Sequence, residues 1–389
     1  MRLLGRFGNK WGIIKTLENL ENLDKPYKLQ YMTNCYKGKR VLVTGNTGFK
    51  GSWLTTWLMM LGADVYGYSV DIPQNPSMFE VLGLEHRIHH TWGDVRDQER
   101  FARCLNDVRP DFVFHLAAQA IVSKSYADPF NTITTNVVGT AAVLDAVINA
   151  DWEMTVVMIT SDKAYDNVEW IWGYRENDPM GGKDVYSGSK GAAELVIKSY
   201  WHSFLKNKSN IHLGVARAGN VIGGGDWSTD RIVVDTILAF AQNQPVEIRS
   251  PRATRPWQHV LEPLSGYLCL GKALAAGEVA TGEAFNFGPR AEQTKTVLQL
   301  VRDIAALWGM NPDECVKITG QVPFEEAKLL KLNCDKALAY LHWHATLDYD
   351  ATVHYITEWY AAYYSQSADM LRLTQRQIEA YQSKMVITL

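Results

Sequence analysis

The run Arg40-Val41-Leu42-Val43-Thr44-Gly45-Asn46-Thr47-Gly48-Phe49-Lys50-Gly51 decides the fold. Its first residues read as a short β-branched strand entering a turn, and helical periodicity follows from Phe49 to Leu61. Gly45, Gly48 and Gly51 space the turn as G-x-x-G-x-x-G. In such a turn the first glycine permits the tight bend and the second lets backbone approach a pyrophosphate. The third lets the helix pack closely on the strand. The helix N-terminus offers free N–H groups and its positive end to that anion, with Thr47 and Phe49 inside the cradle.

Working outward, strands are expected at Asp64–Val70, His89–Trp92, Phe112–Leu116, Thr155–Ile159 and His212–Ala216. Helical stretches separate them, notably 136–149 and 186–205. This alternation predicts an α/β fold, a Rossmann-type doubly wound parallel sheet covered on both faces. Asp71 closes the second strand at the spacing where a carboxylate takes ribose hydroxyls. It would repel a 2′-phosphate, and no arginine directly follows it, so NAD is favoured over NADP. Asp94 and Val95 close the third strand where adenine would lie, and Ala117 and Ala118 follow the fourth beside the cofactor path.

After Asn220 the pattern breaks into glycine-rich loops. Helices are expected near 232–242, 296–308 and 351–364, with a strand near 285–287 that returns to the sheet. The reading is an N-terminal extension (1–37), a cofactor domain (38–220), a smaller C-terminal substrate-binding lobe (221–364) partly interleaved with it, and a tail (365–389).

Composition excludes several classes. Of 389 residues 47% are hydrophobic and the formal net charge is −3, so no global field draws nucleic acid or an anionic membrane. The five cysteines form no C-x-x-C pair, which argues against a metal site or disulfide framework and suits a reducing, cytoplasmic setting. No stretch reaches the roughly 18 apolar residues of a membrane span. Residues 1–37 lack the apolar centre of a signal peptide, and Met32 stands as an alternative start.

The candidate chemistry centres on Tyr186-Ser187-Gly188-Ser189-Lys190. The i, i+4 spacing puts both side chains on one helix face, where the ammonium is expected to lower the phenol's pKa. A tyrosinate beside a nicotinamide can take a hydroxyl proton as hydride leaves the carbon. One strand earlier stands Ser161-Asp162-Lys163.

The glycine turn, Ser161, Tyr186 and Lys190 together resemble the extended branch of the short-chain dehydrogenase/reductase superfamily. Within it, 45–53, 160–167, 172–176, 217–227 and 255–260 resemble the nucleotide-sugar 4,6-dehydratases that act on CDP-glucose. The likeness spans about 37–364. It implies a hydro-lyase of deoxysugar biosynthesis, such as that of lipopolysaccharide O-antigen, with bound NAD. Tyr186 would deprotonate the sugar 4-hydroxyl, which Ser161 orients, as NAD accepts hydride from C4. Water is then lost across C5 and C6, and hydride returns to C6.

Asp162 and Lys163 supply the acid and base that such an elimination needs. Asp162 as acid and a partly neutral Lys163 as C5 base is one assignment, and the reverse stays open. A diphosphate must be met locally by Arg231, Arg249, Arg252 and Arg255. By resemblance Asn220, Arg231 and Arg255 face the nucleotide sugar. His259 is expected either there or as a hydrogen-bonded core residue. Most of the thirteen tryptophans are expected in the core. The resemblance also implies a homodimer or homotetramer built on the 136–149 and 186–205 helices. A sibling dehydratase or epimerase, and a non-catalytic NAD-binding sensor or scaffold, are the alternatives.

Overall fold

The structure is a computed structural model that describes residues 34–290, 293–319 and 329–385. Expectations for the first 33 residues, Met32 included, lie outside the described residues. Just inside them, Tyr36 is fully buried and its hydroxyl donates to the Leu268 carbonyl.

Seven strands make one sheet: β1 (Arg40–Thr44), β2 (Asp64–Ser69), β3 (His89–Trp92), β4 (Phe112–His115), β5 (Met154–Ile159), β6 (Ile211–Ala218) and β7 (Ala284–Phe287). Their order is 7-6-5-4-1-2-3 and every pairing is parallel. The strand order reverses between β1 and β4, which opens a crevice at their carboxyl ends, the place where such sheets bind ligands.

The principal helices are α1 (Phe49–Met60), α2 (Gln98–Val108), α3 (Gly139–Ile148), α4 (Val185–Tyr200), α5 (Ile232–Ala241), α6 (Leu261–Ala275), α7 (Val297–Trp308), α8 (Tyr349–Ser365) and α9 (Met370–Lys384). Side-chain alternation along the strands divides the core in two. Leu42, Val113 and Val156 face α2, α3 and α4, whereas Val41, Val43 and Phe114 face α1, α6 and the C-terminal lobe. Strands buried on both faces explain why their sequences read as continuous apolar runs.

Two expectations need adjustment. The lobe is more deeply interleaved than a divide near 220 suggests, because β7 pairs with β6 and α6 packs beneath β5 and β6. The segment 365–389 is not a tail, since it carries α9. Met370, Leu373, Thr374, Gln377, Ile378 and Tyr381 lie on one buried stripe of that helix. Tyr381 meets Trp57 of α1 edge-on and donates to the buried carboxylate of Glu262.

Candidate active site

The glycine turn between β1 and α1 has the shape its spacing predicts. Gly45 takes φ +72°, and a Cβ there would lie 2.8 Å from the Ala117 nitrogen. A Cβ on Gly51 would lie 2.1 Å from the Gly45 carbonyl oxygen, so glycine is required at that helix–strand crossing. A Cβ on Gly48 would meet the Gly45 carbonyl oxygen at an ordinary 3.4 Å; Gly48 starts α1 without a side-chain cap, and the first turn holds no acid. The helix therefore presents uncapped N–H groups and an uncompensated positive end. That end fits the pyrophosphate of a dinucleotide.

Thr47 is buried and donates to the Asp71 carbonyl at 2.7 Å, tying the turn to the end of β2, while the Asp71 side chain is exposed beside it. Phe49 is buried against Gly223. The Asp94 carboxylate is engaged by Arg96 at 2.6 Å, and Val95 packs into the core near Gly139. Both therefore hold the loop after β3 in place more than they offer side chains to a ligand.

Ala117 and Ala118 line a small pocket with His115, Thr160 and Lys190. The Thr44 hydroxyl accepts from the Ala117 nitrogen and shares a hydrogen bond of 2.8 Å with Nδ1 of His115. Burial and then the Lys190 charge lower His115 to about 3, so it stays neutral beside that lysine.

Asp162–Ala164 form a 3₁₀ turn just after β5, capped by Ser161, whose hydroxyl accepts from the Lys163 nitrogen, and so Ser161, Asp162 and Lys163 stand at the sheet's carboxyl edge. The Ser161 hydroxyl donates to Oδ1 of the buried Asp162 at 2.9 Å and also faces the Tyr186 oxygen. Tyr186 and Lys190 come in on α4, with the ammonium 5.7 Å from the Tyr186 ring centre. The expected fall in the phenol's pKa does not occur. Burial first, then the Asp162 carboxylate, push Tyr186 up to about 12, while burial pulls Lys190 down to about 8. Desolvation and the Asp162 charge outweigh the opposing Arg231 charge and the Ser161 hydrogen bond.

The turn is held from behind by a network that sequence reasoning did not foresee. Arg217 of β6 and Glu194 of α4 form an ion pair at 2.8 Å with side chains only 5% and 6% exposed. Glu194 also accepts from Thr160, and Arg217 donates to Tyr165. From α4, Ser189 accepts from Asn136, which also bonds Gln119. Catalytic spacing is thus fixed by buried polar bonds between β5, β6 and α4.

Lys50 is the second residue that reading missed. It is half-buried on the first turn of α1, within the quoted glycine run. Burial and then Arg231 lower its pKa to about 8, against the pull of Asp162 and Asp226. A third lysine therefore shares the Tyr186–Asp162 site, and its signal was a charged residue inside a turn where glycine and apolar residues suffice.

Of the expected substrate contacts, Arg231 is anchored by the buried Asp226 at 3.1 Å and interacts electrostatically with Tyr186 and Lys50. Asn220 and Arg249 are exposed, and Arg255 donates to the Thr254 carbonyl. His259 departs from the substrate expectation. It is wholly buried between the edges of Trp53 and Tyr355, and Nδ1 accepts from the Leu261 nitrogen. Burial lowers its pKa to about 3, as suits a neutral core residue. Trp172 is 64% exposed and so is not a core anchor.

Residues 42–356 match the model of the family described as GDP-mannose 4,6 dehydratase. The chain is 46% identical over 354 residues to a CDP-glucose 4,6-dehydratase of Salmonella typhimurium, covering 90% of this chain and 98% of that protein. A human dTDP-D-glucose 4,6-dehydratase is 24% identical over 69% of this chain and 74% of its own length. Among solved structures, a Bacillus anthracis dTDP-glucose 4,6-dehydratase in complex with NAD superposes with a TM-score of 0.69 at 18% identity. The match covers 83% of this chain and 96% of that one. A UDP-glucose 4-epimerase from Thermotoga maritima gives 0.71 at 22% identity, over 84% and 99% of the two chains. These distant superpositions concern the fold alone.

Proposed function

The chain belongs to the GDP-mannose 4,6-dehydratase family of extended short-chain dehydrogenases/reductases, and from that premise we propose an NAD-dependent hydro-lyase of deoxysugar biosynthesis that converts CDP-D-glucose to CDP-4-keto-6-deoxy-D-glucose. The observation that carries this reading is the placement of Asp162 beside Tyr186, with Lys163 next to it in the chain on the turn that follows β5. A hydride pair alone serves any dehydrogenase of the fold. An adjacent acid and base serve an elimination, which a 4-epimerase does not perform.

When bound, NAD takes the C4 hydride and returns it to C6. The chain's own groups handle the protons. The turnover starts with Tyr186 as the phenolate and Asp162 protonated. Tyr186 takes the 4-hydroxyl proton as the ketone forms, with Lys190 behind it and Ser161 orienting the hydroxyl. The ketone acidifies C5–H, Lys163 removes that proton, and Asp162 protonates the departing 6-hydroxyl, which leaves as water. Lys163 then returns its proton to C5 when C6 is reduced. Tyr186 ends the turnover one proton richer and Asp162 one proton poorer. Ser161, bonded to Asp162 and facing Tyr186, lies between them.

The cofactor cradle is Gly45, Thr47, Gly48, Phe49 and Gly51, with Asp71 toward the ribose and Ala117 and Ala118 along the path. Arg231 is the lead cation for the substrate diphosphate, supported by Asn220, Arg249 and Arg255. Among the described residues no helix is long and apolar enough to cross a membrane, and we place the enzyme in the cytoplasm.

A second copy of the chain is the proposed partner, as a homodimer or dimer of dimers. Phe130 and Val138, on the helical run leading into α3, are 77% and 50% exposed; Leu195 on α4 and Phe204 just beyond it are 56% and 53% exposed. Large apolar side chains exposed on neighbouring helices suit a subunit contact.

Incubation with NAD and a panel of glucose nucleotides tests the reading. CDP-glucose should give a 4-keto-6-deoxy product without net NADH. Turnover confined to another nucleotide would reject the cytidine assignment, and no turnover on any would favour a binding protein.

A further inference from the structure

Behind Asp162 stand two buried polar side chains, Gln258 and Tyr267, that the reaction scheme leaves unused. Oδ2 of Asp162 points to Gly219, where a Cβ would sit 3.4 Å from it and 3.8 Å from Nε2 of Gln258. The carboxylate and the Gln258 amide therefore flank the same glycine. Gln258 is 1% exposed; its Nε2 donates to the Phe287 carbonyl, while its Oε1 is buried with no protein partner among the described residues. Tyr267 of α6 is fully buried against the Phe287 ring at 5.9 Å, and its hydroxyl likewise has no such partner. Burial first, and then the Asp162 charge, raise this phenol's pKa, so the hydroxyl keeps its proton and is a donor in the field of Asp162.

Two buried oxygens, one a donor and one an acceptor, thus lack protein partners on side chains that both meet Phe287, and Gln258 flanks Gly219 beside Oδ2 of Asp162. A buried polar group without a partner is costly, and native proteins satisfy nearly all of them. An internal water needs two to four polar partners, and Oδ2 of Asp162, Oε1 of Gln258 and the Tyr267 hydroxyl offer three.

We propose that Gln258 and Tyr267 are positioning residues for Asp162, enclosing with its Oδ2 a site for one internal water. The Tyr267 hydroxyl donates to the water oxygen. The water's two hydrogens go to Oε1 of Gln258 and Oδ2 of Asp162. This arrangement fixes the carboxyl's rotation so that Oδ1 faces Ser161 and the sugar. It also stabilises the charge left on Asp162 once its proton has gone to the 6-hydroxyl. The inference rests on the reading of Asp162 as the acid of the elimination.

Single-turnover kinetics on the NAD-loaded enzyme with CDP-glucose test it, following nicotinamide absorbance for the hydride step and quenched product for the elimination. The variants are Tyr267→Phe, Gln258→Leu and Asp162→Asn. Tyr267→Phe keeps shape and removes only the hydroxyl, so in a merely structural role it would be neutral or stabilising. The expected result is elimination slowed about tenfold in Tyr267→Phe and Gln258→Leu, with reduced cofactor accumulating and KM unchanged. Wild-type partition in a folded Tyr267→Phe, with Asp162→Asn selectively blocked in elimination, overturns the inference alone. If Asp162→Asn eliminates normally, the reading of Asp162 as the acid falls and the inference falls with it. Should Gln258→Leu fail to fold, Tyr267→Phe decides by itself.

Discussion

The Ser161 hydroxyl donates to Oδ1 of Asp162 across 2.9 Å, from a turn that also brings Ser161 to the Tyr186 oxygen. Tyr186 and Asp162, the proposed base and acid, are therefore linked through the Ser161 hydroxyl. Disturbing either end should separate the two half-reactions in a defined way.

At the base end, Lys163→Met should keep hydride transfer at C4 and lose exchange of the C5 hydrogen with solvent. Deuterium incorporation followed by NMR checks this. Retained exchange would remove Lys163 from the base role and pass it to Asp162.

At the hydride end, Tyr186→Phe should abolish reduction of bound cofactor by CDP-glucose, with a loss of roughly 10²–10⁴-fold for a missing general base. Substrate affinity measured by calorimetry should change little.

The lysines make a stability prediction. Burial lowers Lys50 to about 8, so the unfolded chain binds more protons than the folded one between that pH and the ordinary lysine value near 10.5. Stability due to this group is therefore lowest below about pH 8 and recovers as pH rises through that window. Lys50→Met should raise stability at pH 7 by on the order of 1–3 kcal/mol, a gain that shrinks toward pH 10. Denaturant melts at several pH values check it, and a constant difference would show that Lys50 is not desolvated.

Arg217 and Glu194 lock β6 to α4 beneath the site. Arg217→Met should cost about 3–5 kcal/mol by leaving a buried carboxylate unpaired. Adding Glu194→Leu should recover much of that loss. Chemical denaturation of the single and double variants measures it.

The sheet and glycine turn were legible because their signals are local. Gly45 and Gly51 carry steric requirements visible in spacing alone, and strands such as β1 and β5 are short apolar runs rich in valine. Tyr186, Lys190, Ser161 and Asp162 were legible for the same reason, as short patterns tied to element ends. What escaped depends on distant packing. Helix α9 was missed although its buried residues recur at helical spacing, because the stripe mixes Thr374 and Gln377 with apolar residues. The direction of the Tyr186 pKa shift was misjudged, a fall being expected where burial produces a rise, because spacing gives the nearest charge but not the desolvation around it. His259 could not be placed from sequence, since a histidine looks the same beside a phosphate or between Trp53 and Tyr355.

The most direct measurement uses CDP-glucose deuterated at C4, with the NAD-loaded enzyme in ordinary water. The account predicts a 4-keto-6-deoxy product carrying the label at C6, a solvent hydrogen at C5, and no net NADH. NADH formed in step with substrate, or label retained at C4 of an epimer, would contradict it.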